Sequence, residues 1–273
     1  MLFRSLVKGT DRKKLLHLLR SDLNSLFYDA HQIIKQHRKK RYGTKTVVDT
    51  VSFTVGMSEC LGVIGPNGAG KTTLFNMLDG TARMDGGRLL LDGQDISEAP
   101  QHARARQGLG RAYQVPRTFV GLSVYENVLA GVTHGPGLRG AAAAARTMEI
   151  LETVGLDAKA ALIAGGLPLM DRKRLELAKA MSVGTKVILL DEIAGGLTEG
   201  EVHVLIEIVA RLKQDHTILW IEHIAHALMA VADRIMVLHF GEKLIEGPPA
   251  EVMDSAIVHE IYLGIAVDDT ADT

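Results

Sequence analysis

The sequence predicts an α/β protein, with a mainly parallel β-sheet covered by helices and a separate helical lobe inserted in mid-chain. Three observations lead there. Short apolar runs of strand type at 187–190, 217–221 and 234–238 alternate with amphipathic stretches of helix length at 201–213 and 224–232. Strands that alternate with helices in this way pair in parallel, because each helix carries the chain back across the sheet. Residues 122–182 are helical in composition, with alanines throughout 141–145, and are too long for a single crossover. With 273 residues, 47% of them hydrophobic, the chain can bury a full core as one large domain, or as one domain carrying a smaller lobe.

The chain opens on a basic segment. Residues 1–41 contain eleven Lys and Arg against Asp11, Asp22 and Asp29, a net of +8 that leaves the remainder at −9. Leu15, Leu19, Leu23, Leu26, Phe27, Ala30 and Ile34 recur at three- and four-residue steps, one face of a helix that Thr10 or Asp11 can cap. Residues 1–40 are therefore expected to form a basic helical extension, residues 41–265 the globular domain (helical lobe about 115–182), and residues 266–273 an acidic tail. The extension could dock on an anionic membrane surface or a membrane partner, or pack its apolar face on the protein's own core.

Beyond it, 47–55 shifts toward alternation (Val51, Phe53, Val55) and reads as a strand. The apolar run 60–64 meets a glycine-rich turn and a helical stretch, 71–78. Residues 87–96 read as strand and turn, and 243–246 as a last strand.

Composition excludes several classes. A net charge of −1 gives no global field for nucleic acid. The one cysteine, Cys60, excludes an intrachain disulfide and a cysteine-cluster metal site, and suits a reducing compartment. No uncharged apolar stretch approaches the roughly 18 residues a membrane span needs. The first residues gain charge too soon for a signal peptide, so the protein is expected to stay where it is made.

Gly65-Pro66-Asn67-Gly68-Ala69-Gly70-Lys71-Thr72 matches G-x-x-x-x-G-K-[ST], after an apolar strand and before a helix. Glycines let successive backbone N–H groups curl around phosphates, and the helix N-terminus adds its positive end. Lys71 would reach the β- and γ-phosphates and the Thr72 hydroxyl would ligate Mg²⁺, with Thr73 next in line. A glycine-rich turn can match this pattern by chance, but the strand and helix around it argue against that. The apolar run 187–190 ends in Asp191-Glu192. Two carboxylates at a buried strand tip are costly unless positive charge sits beside them. Mg²⁺–ATP would supply it, with Asp191 holding the metal through water and Glu192 accepting a proton from the attacking water. The bland alternative is a strand ending in a solvated acidic turn.

With these motifs the chain resembles the ABC ATPases over roughly residues 40–265. The resemblance implies a P-loop NTPase core with a mainly parallel sheet, an antiparallel β subdomain and an inserted helical lobe. It makes Tyr42, in Arg41-Tyr42-Gly43, the aromatic that stacks on adenine. Gln114, in Gly110-Arg111-Ala112-Tyr113-Gln114, falls at the loop that joins core to lobe, senses the membrane partner and reaches Mg²⁺. His223, in Glu222-His223, matches the switch histidine that contacts the γ-phosphate. Taken alone, these three would be surface packing, a solvated amide and a strand-end histidine. Residues 121–128, 174–180 and 260–264 resemble the LivG-type ATPases of branched-chain amino acid importers.

The resemblance implies an ATPase using ATP and Mg²⁺, bound to the cytoplasmic face of the inner membrane. Its implied partners are a second ATPase subunit, two permeases and, indirectly, a solute-binding protein, with no nucleic acid. An exporter's engine, a nucleic-acid-linked ABC protein and a silent regulatory subunit are the competing readings. The chain also departs from the family. Its signature segment is Leu167-Pro168-Leu169-Met170-Asp171, with Pro168 in place of a hydroxyl donor and Met170 where glycine lets a backbone approach phosphate. Ile193 replaces the usual proline, and Gly195-Gly196-Leu197-Thr198 lacks an acid or asparagine. Two unequal ATP sites, and hence a different partner ATPase, are expected. The bland alternative is that the Leu169 and Met170 backbone N–H groups still reach the γ-phosphate and leave both sites active.

Overall fold

Three five-residue strands, β3 (Cys60–Ile64), β7 (Val187–Asp191) and β8 (Thr217–Ile221), are buried at every position. A strand covered on both faces reads as a continuous apolar run, which is how each appears in the sequence. They lie inside a six-stranded sheet ordered β10-β9-β3-β8-β7-β6. Its other members are β6 (Leu109–Ala112), β9 (Arg234–His239) and β10 (Glu242–Gly247). All neighbours are parallel except the β9–β10 hairpin. Alternate side chains serve opposite faces. Ile188, Leu190, Ile218 and Trp220 join a core that runs into the helical lobe, whereas Leu61, Val63, Leu189 and Leu219 pack with the helix after β3.

The structure is a computed structural model that describes residues 35–42 and 45–263. The expected helical face from Leu15 to Ile34 and the acidic tail at 266–273 lie outside the described residues. A second, antiparallel sheet is ordered β2-β1-β4-β5, from β1 (Lys35–Tyr42), β2 (Lys45–Val51), β4 (Gly86–Leu91) and β5 (Gln94–Asp95). Here β1 corrects the expectation from sequence, which places residues up to 40 in a helical extension. The segment is paired on both edges, to β2 and to β4, and that ladder of backbone bonds does not depend on side-chain type. Lys40, near its end, is matched by Asp85 Oδ1 at 3.1 Å.

Helix α1 (Lys71–Asp79) follows β3, and α2 (Gln101–Arg106) follows the small sheet. Buried Arg104 on α2 closes the end of α1. Its guanidinium donates to the carbonyls of Met77 (2.5 Å) and Leu78 (2.8 Å), and also to Ala99 (2.7 Å) and Ser97 (2.6 Å). The lobe consists of α3 (Val124–His134), α4 (Gly140–Thr153) and α5 (Leu169–Ser182), with α3 packed on both others. Ser123 and Glu126 form a reciprocal capping box that starts α3. Thr198 and Glu201 do the same for α6 (Glu199–Leu212). The chain then passes through α7 (Ala225–Val231), α8 (Pro249–Met253) and α9 (Ala256–Leu263). Among the described residues no helix is long and apolar enough to cross a membrane.

Candidate functional site

The loop from Gly65 to Gly70 joins β3 to α1 and is gripped from outside. Gly241 N donates to Ala69 O (2.9 Å), so the β9–β10 turn holds the loop, and Asp49 N donates to Gly241 O (2.8 Å), so β2 holds that turn in place. Two glycines are required by space. A Cβ on Gly65 would lie 2.2 Å from Leu238 O, and one on Gly70, at φ 101°, would lie 2.7 Å from Val47 O. Gly70 is the N-cap of α1 and offers no side-chain oxygen, and no acid occupies the first turn. The unpaired N–H groups and positive end of α1 therefore face the loop, a geometry suited to an anion.

Lys71 lies at the start of that helix with its side chain almost fully buried. Its Nζ donates to Gly65 O (2.6 Å) and Pro66 O (3.2 Å). Burial pushes its pKa down, while nearby Glu192 and Asp191 push it up. A phosphate oxygen is a better acceptor than either carbonyl, since the bond would be charge-assisted on both sides. Asn67, Gly68 and Thr72 are exposed, Pro66 and Thr73 half-buried.

The tip of β7 lies beside this loop. Asp191 is buried, and its Oδ2 accepts from Arg111 Nη2 at 2.5 Å. Glu192 turns off the strand with φ 48°, a left-handed conformation unusual outside glycine, and its N donates to Ile221 O (2.9 Å). Its carboxylate is held from both sides: Oε2 accepts from Gln114 Nε2 (2.6 Å), and Oε1 lies 2.8 Å from His223 Nε2. Three loops, after β6, β7 and β8, thus bring Gln114, Glu192 and His223 into one hydrogen-bonded chain. The available metal donors are hard oxygens: the Thr72 hydroxyl, the Asp191 carboxylate and the Gln114 amide. That set fits Mg²⁺, which takes one or two protein carboxylates and completes its shell with phosphates and water. Tyr42 ends β1, and its side chain lies outside the described ones.

The signature segment starts α5, with Pro168 as N-cap. Met170 corrects an expectation. The sequence suggests a side chain that obstructs the approach of a phosphate, yet Met170 is buried in the lobe core. Helical geometry turns it inward and leaves Pro168 and Leu169 exposed instead. Asp171 is also buried, 2.5 Å from Lys159 Nζ.

The family model described as ABC transporter matches residues 48–195, more than half of the chain. The chain belongs to the ABC transporter family. It is 35% identical over 242 residues to the high-affinity branched-chain amino acid transport ATP-binding protein BraF of Pseudomonas aeruginosa, covering 83% of this chain and 95% of BraF. LivG of Escherichia coli, likewise a high-affinity branched-chain amino acid transport ATP-binding protein, is 36% identical over the same shares. The lipopolysaccharide export system ATP-binding protein LptB of Escherichia coli is 34% identical over 230 residues, 82% of this chain and 94% of LptB. Among solved structures, the ATP-binding cassette MJ1267 in its ADP conformation superposes with a TM-score of 0.77 at 27% identity, over 86% of this chain and 99% of that one. The protein is an ABC ATPase that binds and hydrolyses ATP, and a subunit of a transporter.

In this ABC ATPase three further residues matter, which stand in the sequence only as neighbours of motif residues. Arg111, one strand position before Ala112, also donates to Asp79 Oδ2 (2.7 Å) and Asn76 Oδ1 (2.8 Å). Buried Lys173 on α5 donates to Gln114 O (2.5 Å) and so ties the lobe to the glutamine loop. Glu222 is buried directly before His223. Each is a buried charge, but the partners are far away in sequence, and only the position of charge inside an apolar context could have flagged them.

Proposed function

We propose that this subunit drives an importer for branched-chain amino acids or related small polar solutes. In this reading it works on the cytoplasmic face of the inner membrane with a second, different ATPase subunit and two permeases, fed by a solute-binding protein. The observation that carries the catalytic part is Glu192 held between Gln114 and His223 beside the Lys71 loop. Lys71 and the loop N–H groups bind the β- and γ-phosphates, and Tyr42 stacks on adenine. Glu192 accepts a proton from the water that attacks the γ-phosphorus, while the β–γ bridging bond breaks and ADP leaves. His223 orients Glu192 and contacts the γ-phosphate. Thr72, Asp191 and Gln114 would hold Mg²⁺, which would supply positive charge to neutralise the phosphates.

Import is supported by the likeness to BraF and LivG, together with the LivG-like stretches at 121–128, 174–180 and 260–264. The likeness to LptB supports the second reading, an exporter's engine. A cleft of about 200 Å³ lined by Gln101, Tyr113, Arg117, Glu176 and Lys179 lies between core and lobe, a place where a permease segment could dock. An unlike partner is supported by Pro168, which has neither hydroxyl nor N–H to offer a phosphate across the dimer.

The test is to purify the tagged subunit with its membrane complex and assay turnover in proteoliposomes. Two permeases, and ATPase activity raised by a binding protein loaded with a branched-chain amino acid, support import. Stimulation by lipopolysaccharide alone would replace this reading with the exporter.

A further inference from the structure

Glu222 follows the last residue of β8 and is only 1% exposed. Its two oxygens hold two different loops. Oε1 accepts from Ala194 N at 2.9 Å, and Oε2 accepts from His223 N at 3.2 Å. Ala194 lies two residues beyond Glu192, and the His223 ring lies 2.8 Å from the Glu192 carboxylate. The contacts close a ring. It runs from the Glu192 side chain to the His223 imidazole, through the His223 backbone to Glu222, and by way of Ala194 back to Glu192. A carboxylate buried this deeply is costly and is kept only where donors compensate it. Burial pushes its pKa up, and the two N–H groups and Lys173 on α5 pull it back, against Glu192. A merely structural acid would need donors somewhere; these two donors flank the reacting pair.

From this circuit we infer that Glu222 is a positioning residue for hydrolysis, fixing the distance and angle between Glu192 and His223 by clamping the backbone of both loops. The inference rests on the reading of Glu192 as the base. Loss of the carboxylate frees both loops. Nucleotide affinity should change little, because the phosphate loop and Lys71 are not part of the ring, whereas the chemical step should slow.

The experiment is a double-mutant cycle on the assembled transporter, E222A with H223A, in single-turnover ATP hydrolysis, with ATP affinity measured separately by equilibrium binding. E222A is expected to slow hydrolysis on the order of 10- to 100-fold, the usual cost of losing an orienting outer partner. Its ATP affinity should stay within about twofold, and it should cost little more once His223 is gone, because residues acting as one unit are non-additive. E222Q keeps one acceptor and should fall between wild type and E222A. Should E222A fail to fold, the cycle is run with E222Q. Full rates in folded E222Q and E222A, equal losses with and without His223, or a parallel loss of ATP affinity would each overturn the inference. E192Q serves as the control. Wild-type hydrolysis there would remove the base assignment itself, whereas slow E192Q beside fast Glu222 variants would remove only this inference.

Discussion

Arg111 Nη2 lies 2.5 Å from Asp191 Oδ2, while its other nitrogen, Nη1, lies 2.7 Å from Asp79 Oδ2. One guanidinium therefore joins the tip of β7 to the end of α1, the two elements that carry the acids and the phosphate loop. All three side chains are less than a tenth exposed. The Tyr113 ring, 4.7 Å from the guanidinium carbon, adds a cation–π contact. The acids raise the pKa of Arg111 against the cost of burial, so it keeps its charge and neutralises a strand tip that would otherwise hold bare carboxylates.

Replacing Arg111 by Met should leave two buried carboxylates without their cation. Chemical denaturation is expected to show a loss of about 3–5 kcal/mol, the cost of breaking a buried pair from one side. Lys at this position keeps the charge but not the forked reach, and should recover only part of it. A loss below about 1 kcal/mol for Met, as at an exposed pair, would show that the bridge does not hold the site together.

Much of this arrangement is legible in the sequence, and what escapes does so for physical reasons. Strand β8 is legible to the residue, and β7 to within one, because buried parallel strands are uninterrupted apolar runs. Strand β1 is not, because Lys-Gln-His-Arg-Lys-Lys-Arg-Tyr shows no apolar alternation, and its stability comes from pairing with β2 and β4. The four-residue β6 contains Gly110 and Arg111 and carries too few apolar positions to stand out. The glycine-rich loop is a local motif, and its setting between a buried strand and a helix is legible whole. The ring through Glu222 and the bridge at Arg111 depend on contacts 28 and 80 residues apart, which no window along the chain reveals.

The pH dependence of stability should carry the mark of Glu222. Its pKa is raised from 4.5 to about 7, so the native state binds this proton more tightly than the unfolded chain. Its penalty is therefore absent below the unfolded pKa, grows as the pH rises, and levels off above about 7. Across that window wild type should lose about 3 kcal/mol relative to E222Q, which does not titrate. Urea unfolding of both proteins between pH 4.5 and 8 checks this; parallel pH curves would contradict it.

The β9–β10 hairpin is built with a residue poorly suited to its turn. His239 pairs with Glu242, and between them Phe240 has φ 46° and Gly241 φ 83°, the type I′ geometry that favours Asn-Gly. The Phe240 side chain is 81% exposed, so little packing offsets the strain. F240N should raise thermal stability by about 1 kcal/mol. An unchanged or lower melting temperature would mean that the ring is held by something beyond its contact with His239.

If the subunit pairs with a second, different ATPase as proposed, the two ATP sites should be unequal. On the proposed reading the phosphate loop, Glu192 and His223 would complete one half-site, whereas the signature half offers Pro168 and exposed Leu169. In the purified complex, disabling Glu192 should abolish most turnover, and disabling the partner's catalytic glutamate should leave much of it. Equal losses would point to two coupled, equivalent sites.

The most direct measurement concerns Glu192 itself. Glu192→Gln keeps the size of the side chain and its hydrogen-bonding reach to Gln114 and His223, and removes the carboxylate proposed as the base. In the assembled complex, phosphate release should fall about 10²–10⁴-fold while ATP affinity stays near that of the wild type. Unchanged phosphate release in E192Q would contradict the assignment of the Gln114–Glu192–His223 chain as the hydrolytic centre.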